Sequence, residues 1–347
     1  MPGAGSVPAR ALPQLLAGYR GLPEELDPLL GSPLLVVDLD GAGPADLAPL
    51  GVRPACVVVG VHRAAAVPPG VPAELFDVLL AEASGAPAPW VAVPDLDDAV
   101  ATLTTTLGTA PQAATALVQL LRLAERLPAP DALVAESFAY ATLQGGPEHR
   151  AWLAGRPARS PRRADRPPVL VDRRDDTLLL TLDRPEVRNA YDAAVRDGLV
   201  DGFRLAVADD GLRRIELHGR GPDFCAGGDL TEFGTTPDPA TAHLVRTTAG
   251  AAPALLAVAD RVTAYLHGNC IGAGIEVPAF AGRVVAAADT LLRLPEIGMG
   301  LIPGAGGTVS ITRRIGRHRT AWLALSGLPL PALPASDWGL VDEVAPE

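Results

Sequence analysis

Lysine is missing from this chain of 347 residues, and all 29 basic positions are arginine. Its absence excludes lysine Schiff-base chemistry, and with it pyridoxal-phosphate and lysine-aldolase mechanisms. It also excludes a Gly-Lys-Ser/Thr phosphate loop. Cysteine is scarce: Cys56, Cys225 and Cys270 are odd in number and lack metal-ligand spacing, which argues against a disulfide scaffold or a zinc site. Long apolar runs are lacking too. Leu34–Leu39 and Val284–Ala288 are strand-length, far short of the roughly 20 residues of a membrane span. Positive charge is in deficit, and a net charge of −11 argues against general nucleic-acid binding. The N-terminus has Arg10 but no compact basic region leading into a hydrophobic stretch and cleavage site, so the expected location is cytoplasmic.

What is present describes a globular chain. Hydrophobic residues at 48% and charged residues at 20% suit an ordinary core. The length allows two domains, or one large α/β domain with an extension. Abundant Ala, Arg, Pro and Gly alongside absent Lys reads as coding bias, so arginines carry no functional weight by default.

The chain divides at an arginine- and proline-rich stretch. Residues 1–155 read as an N-terminal accessory region, 156–168 as an extended linker and 169–347 as a second region with a core of its own. The linker charges are either simply solvated or a cationic rim for a phosphate-bearing ligand. In the first region Leu34–Leu39 and Ala55–Val61 read as strands, and 73–84, 95–108, Gln112–Arg126 and Asp131–Leu143 as helices. A Gly145-Gly146-Pro147 break and a short helix through Trp152 follow. No catalytic constellation is visible there. The second region alternates strand and helix. It opens with a hairpin-like pair over Val169–Leu182, and helices are expected over Ala190–Ala208, Thr241–Val258 and Thr308–Ile315. Such βα units predict a largely parallel sheet with sites at strand-to-helix turns.

Two glutamates stand out in this region. Glu276 ends Gly272-Ala273-Gly274-Ile275-Glu276, and Glu296 lies in Leu294-Pro295-Glu296 ahead of Gly304-Ala305-Gly306-Gly307-Thr308. A third small-residue turn is Phe224-Cys225-Ala226-Gly227-Gly228-Asp229-Leu230. Small residues entering a helix leave its first N–H groups open to an anion, although they serve equally for tight helix–sheet packing. Two carboxylates beside two amide-donor turns are what proton transfer next to a stabilised oxyanion requires. No nucleophile elbow or dinucleotide glycine pattern occurs, and the six histidines are scattered.

Taken together, over residues 168–345, these segments resemble the enoyl-CoA hydratase/isomerase (crotonase) family. The match runs in order through Leu182–Ala190, Phe224–Leu230, His267–Val277, Leu294–Thr308, and the Ser326-Gly327 and Gly339-Leu340-Val341-Asp342 segments. The resemblance implies an α/β fold with a crotonase-like ββα-repeat spiral core, preceded here by a mixed, largely helical N-terminal region. It implies that the amides of Gly228 and Ala273 form the oxyanion hole for a CoA thioester. Glu276 and Glu296 fall on the two acid/base positions. Ala273 stands where the family has glycine. Arg184, Val187, Arg188, Ala226 and Asp229 match CoA-contacting positions. No metal and no cofactor are implied beyond coenzyme A as part of the substrate. The implied partners are an acyl-CoA thioester and further copies of the chain, as a trimer or hexamer, with neither nucleic acid nor membrane.

Both acids being present points to hydration or dehydration. The alternatives are another crotonase-type reaction (isomerisation, C–C or ring cleavage, cofactor-free oxygenation) or a non-catalytic CoA-binding subunit. The sequence departs from the family in its long N-terminal region and in ending at Glu347, where the family continues with helices. Glu136–Leu153 looks loosely like that missing tail. One expectation is therefore that the first region supplies those helices in permuted order; the other is an unrelated accessory domain.

Overall fold

The computed structural model describes residues 6–11, 26–42, 54–64, 66–157 and 166–346. The stretch expected as a linker lies outside the described residues over positions 158–165.

Residues 7–92 build a parallel sheet of five strands in chain order: β1 (Val7–Pro8), β2 (Leu34–Asp38), β3 (Val57–His62), β4 (Val78–Ala81) and β5 (Val91–Ala92). The central strands are apolar throughout because both faces are covered. Alternate residues divide between two cores: Val57 and Val59 face one, and Val58 faces the other with Leu35, Val37 and Leu79. The helix expected over 73–84 is instead a single turn at Ala73–Leu75 followed by β4. The run Val78-Leu79-Leu80 is too short for a helix and is buried on both sides, which the sheet satisfies better.

Helices α1 (Leu96–Thr109), α2 (Pro111–Ala124), α3 (Ala129–Gln144) and α4 (Pro147–Ala154) follow. Asp95 caps α1 by accepting the Asp98 N–H at 2.9 Å. The N-terminus of α2 is capped from a distance, since both Glu148 carboxylate oxygens accept from the Gln112 and Ala113 amides. The first region is thus mixed, with strands up to residue 92 and helices after it.

The second region forms two sheets. β6 (Val169–Arg174) and β7 (Thr177–Leu182) make the expected antiparallel hairpin. β8 (Arg214–Gly219), β9 (Val262–Leu266), β11 (Arg283–Ala287) and β14 (Glu343–Ala345) extend it in parallel, in the order β14-β11-β9-β8-β7-β6. A small sheet pairs β10 (Asn269–Ile271), β12 (Leu291–Arg293) and β13 (Leu330–Pro331). Helix α5 (Ala193–Ala208) starts at the Asp192 cap. The helix expected over Thr241–Val258 is broken at Gly250 into α6 (Pro239–Ala249) and α7 (Ala251–Leu256). The turn at Gly272 opens a helix of one turn only, α8 (Ala273–Glu276), because Pro278 cannot continue it. Helix α9 (Gly307–Ser326) runs well past the expected end, with a kink at Gly316. Helix α10 (Ala332–Trp338) completes the fold.

The two regions share one apolar core: Val59, Leu103, Leu117 and Leu121 belong to the same cluster as Ile311, Ile315 and Leu325. Three consecutive basic residues of α9 fasten the N-terminal sheet to the second region. Arg317 donates to the carbonyls of Phe76 at 2.7 Å and of Ala73 and Glu74 at 3.2 Å, and its Nε donates to Glu125 at 3.0 Å. His318 Nε2 lies 2.8 Å from the Ala73 carbonyl, and Arg319 donates to those of Trp90 and Ala86. Arg317→Ala strands these buried carbonyls and is expected to cost roughly 3 kcal/mol, read as a lower denaturant midpoint at unchanged slope.

Candidate functional site

Three chain segments meet where β7, β8 and β10 lead into their turns. The turn after β8 lies along β10: the Cys225 amide donates to the Asn269 carbonyl at 3.2 Å, and the Ile271 amide donates to that of Cys225 at 3.0 Å. Gly228 and Ala273 are therefore carried on adjoining turns. Their amides donate to no protein acceptor among the described residues. Ala273 is the first residue of α8, where an amide has no partner within the helix. The ring of Phe233 covers Gly228.

Asn189 locks the approach to this turn. Fully buried, its side-chain amide donates to the carbonyls of Arg220, Asp223 and Phe224, while its oxygen accepts the Arg184 amide at 2.8 Å. Asp223 is held down to about 2 by its hydrogen bond from Arg188, with Asn269 adding to the effect. Of the expected CoA-contacting positions, Arg184 is buried and ion-paired with Asp192 and, at 3.9 Å, with Asp229. Its guanidinium holds the turn together from inside. Arg188 is half-exposed on the rim in the left-handed region (φ 55°). Val187, Ala226 and Asp229 are partly exposed along the same edge.

Glu276 and Glu296 come together across Gly272. A Cβ at Gly272 would sit 2.5 Å from Glu296 Oε1 and 3.7 Å from Glu276 Oε1, and its φ of 50° independently favours glycine. Glu276 Oε2 accepts from the amides of Ala305 at 2.8 Å and Gly307 at 3.0 Å. These donors lie at the N-terminal end of α9, where the helix dipole favours a negative charge. Burial pushes Glu276 up to about 7, against the pull of those amides. Glu296 is placed differently: its Oε2 is buried without a hydrogen-bond partner among the described residues. Burial and then the charge of Glu276 hold its proton affinity well above the ordinary range. Two carboxyl groups with unequal donor supply separate into one that ionises and one that keeps its proton.

The N-terminal region supplies a third acid. Glu136 on α3 is 3% exposed. Its Oε1 accepts the Gly306 amide at 2.8 Å, and its Oε2 accepts the Thr308 amide at 3.0 Å and hydroxyl at 2.6 Å. One turn further on, the Tyr140 ring occupies the space that a side chain at Gly304 would need. From α4, His149 Nδ1 lies 2.9 Å from the carbonyl of Met299, at the end of the turn that begins with Glu296. His149 stacks on Trp152, and Phe233, beside Gly228, meets both rings at steeper angles. Sequence reading passed over these residues because nothing local links residue 136 to residue 308. One signal was available: Glu136 is a lone acid at helical spacing from Ala132, Tyr140 and Leu143, on a face otherwise apolar or aromatic.

The second region of the chain is similar to known proteins. The sequence model of the enoyl-CoA hydratase/isomerase family matches residues 173–347. The chain is 35% identical to the 2,3-dehydroadipyl-CoA hydratase of Escherichia coli over 178 residues, covering 51% of this chain and 69% of that protein. It is 33% identical to the mevalonyl-coenzyme A hydratase of Beauveria bassiana over 181 residues, covering 49% of this chain and 64% of the relative. Among solved structures, the enoyl-CoA hydratase of Thermoplasma volcanium aligns at a TM-score of 0.48 with 35% identity, over 52% of this chain and 73% of that one.

Proposed function

Because the chain belongs to the enoyl-CoA hydratase/isomerase family, we propose that it adds water to, or removes it from, an α,β-unsaturated acyl-CoA thioester. The observation that carries this reading is the unequal pair across Gly272: Glu276 with helix-terminal amide donors, and Glu296 with an unpartnered buried oxygen.

In the hydration direction, Glu276 as carboxylate takes a proton from water while the water oxygen bonds to Cβ. The C=C electron pair shifts toward the thioester carbonyl, and the amides of Gly228 and Ala273 receive the developing oxyanion. Glu296 delivers its proton to Cα as the enolate collapses. Glu276 ends protonated and Glu296 ionised, so one proton passing between them restores the site. Both Oε1 atoms lie beside Gly272, which suits that return.

The N-terminal region serves in this reading as a cover of the site. Contacts from α3 and α4 to the 304–308 and 296–299 segments support that role.

The test is the loss of absorbance of a conjugated enoyl-CoA thioester. Wild type is expected to turn over, and Glu296→Gln to lower kcat by about 10²–10⁴-fold with little change in KM. Undiminished turnover in Glu296→Gln would remove the acid from the scheme.

A further inference from the structure

Four consecutive backbone amides, those of Ala305, Gly306, Gly307 and Thr308, are divided alternately between two buried carboxyl groups. Glu276 takes the first and third, and Glu136 takes the second and fourth with the Thr308 hydroxyl. The two acids sit on elements far apart in sequence, α3 and α8. A buried glutamate is rare unless its charge has work to do. We propose that Glu136 is a third acid of this site, a positioning residue that shares the 305–308 amide row with Glu276 and sets the charge against which Glu276 and Glu296 hold their protons.

Every contact of Glu136 given above is a donor to it, which is how a carboxylate is held. The same donors serve Glu276, so ionising one of the pair makes ionising the other harder. The direction agrees: burial and then the charge of Glu276 raise Glu136 to about 8, and Glu136 in turn raises Glu296. Among the described residues no cation contacts Glu136 directly, although the Arg246 guanidinium is near enough to feel its charge. On α6, Arg246 and His243 face Ser137, and the Arg246 guanidinium lies 4.5 Å from the Tyr140 ring centroid. Tyr140 on α3 itself is pushed well above its ordinary value, by burial first and against the lowering pull of Arg246. At the end of α2, Glu125 lines a small cavity with Ala132, Thr308 and Arg313. The acid/base balance of the site therefore depends on a residue from outside the segment that matches the family.

This inference deepens the hydration reading and rests on it. Its test uses the full-length protein with one substitution, Glu136→Gln, which keeps the shape and removes the charge. The alkaline limb of the pH–kcat profile on an enoyl-CoA thioester is expected to move toward acid by about half to one pH unit, because Glu136 is ionised above about 8 and Glu296 loses its proton more easily without that charge. A merely structural Glu136 predicts a lower profile at an unmoved pH. Should Glu136→Gln fail to fold, Thr308→Val decides. It removes one donor, leaves Glu136 protonated to higher pH, and is expected to move the profile the same way. Infrared titration of the carboxyl bands, read without substrate, separates the two claims. If no thioester gains water, the hydration reading falls, while a carboxyl titration that moves in Glu136→Gln still supports the charge-setting role. Profiles and carboxyl titrations unmoved in both variants overturn the inference.

Discussion

Glu276→Gln is expected to abolish most turnover, lowering kcat on a conjugated enoyl-CoA thioester by about 10²–10⁴-fold while leaving thioester binding largely intact. The glutamine retains the volume and can still accept one of the two α9 amides, so the backbone around Ala305 and Gly307 has little reason to move. What disappears is a carboxylate able to accept a proton from water. The same substitution leaves a second signature in stability. Glu276 titrates in the folded protein near 7, above its unfolded value of about 4.5. Between those pH values the native state therefore binds more protons than the unfolded state, and stability falls as pH rises through that window. Glu276→Gln removes this fall, so its Tm relative to wild type should improve from pH 5 to pH 8. A parallel pH dependence of the two Tm values would mean that Glu276 is not held in the state described.

The second large effect concerns the N-terminal region. A fragment of residues 166–347 is expected to be insoluble, or to be recovered without fixed tertiary structure and without affinity for a CoA ester. Three losses coincide. Arg317, His318 and Arg319 lose their acceptors between Ala73 and Trp90, and with them the sheet that α9 packs against. The α9 face formed by Ile311 and Ile315 loses the leucines of α1 and α2. Finally, the 305–308 segment loses Glu136, and the turn beginning at Glu296 loses His149. Near-ultraviolet circular dichroism and CoA-ester titration of the purified fragment measure this. A soluble fragment that binds and turns over thioester would show residues 1–155 to be dispensable and would sink the idea that they cover the site.

The legible parts of the fold share a physical reason. The turns at 224–230 and 272–276 and the acid at 296 announce themselves through composition, because a backbone that must expose amides excludes bulk. The hairpin over 169–182 and the helices from residue 95 to residue 154 follow from periodicity and caps such as Asp95. The strand at Val78–Ala81 was not legible, because a short apolar run buried on both sides carries no period. The break at Gly250 was written in Gly250 and Pro253 but was outweighed by the helical pattern around them. Glu136 could not be placed because its partners, Gly306 and Thr308, lie 170 and 172 residues away. For Arg184, expected as a CoA-contacting position, the burial against Asp192 is visible only in the structure.

The most direct test of the account is mass spectrometry of a panel of enoyl-CoA thioesters incubated with the protein in heavy water. The account predicts that at least one thioester gains the elements of one water with deuterium at Cα, and that the Glu276→Gln, Glu296→Gln double variant yields none. Water addition that persists in the double variant, or a rearranged or cleaved thioester without added water, would contradict it.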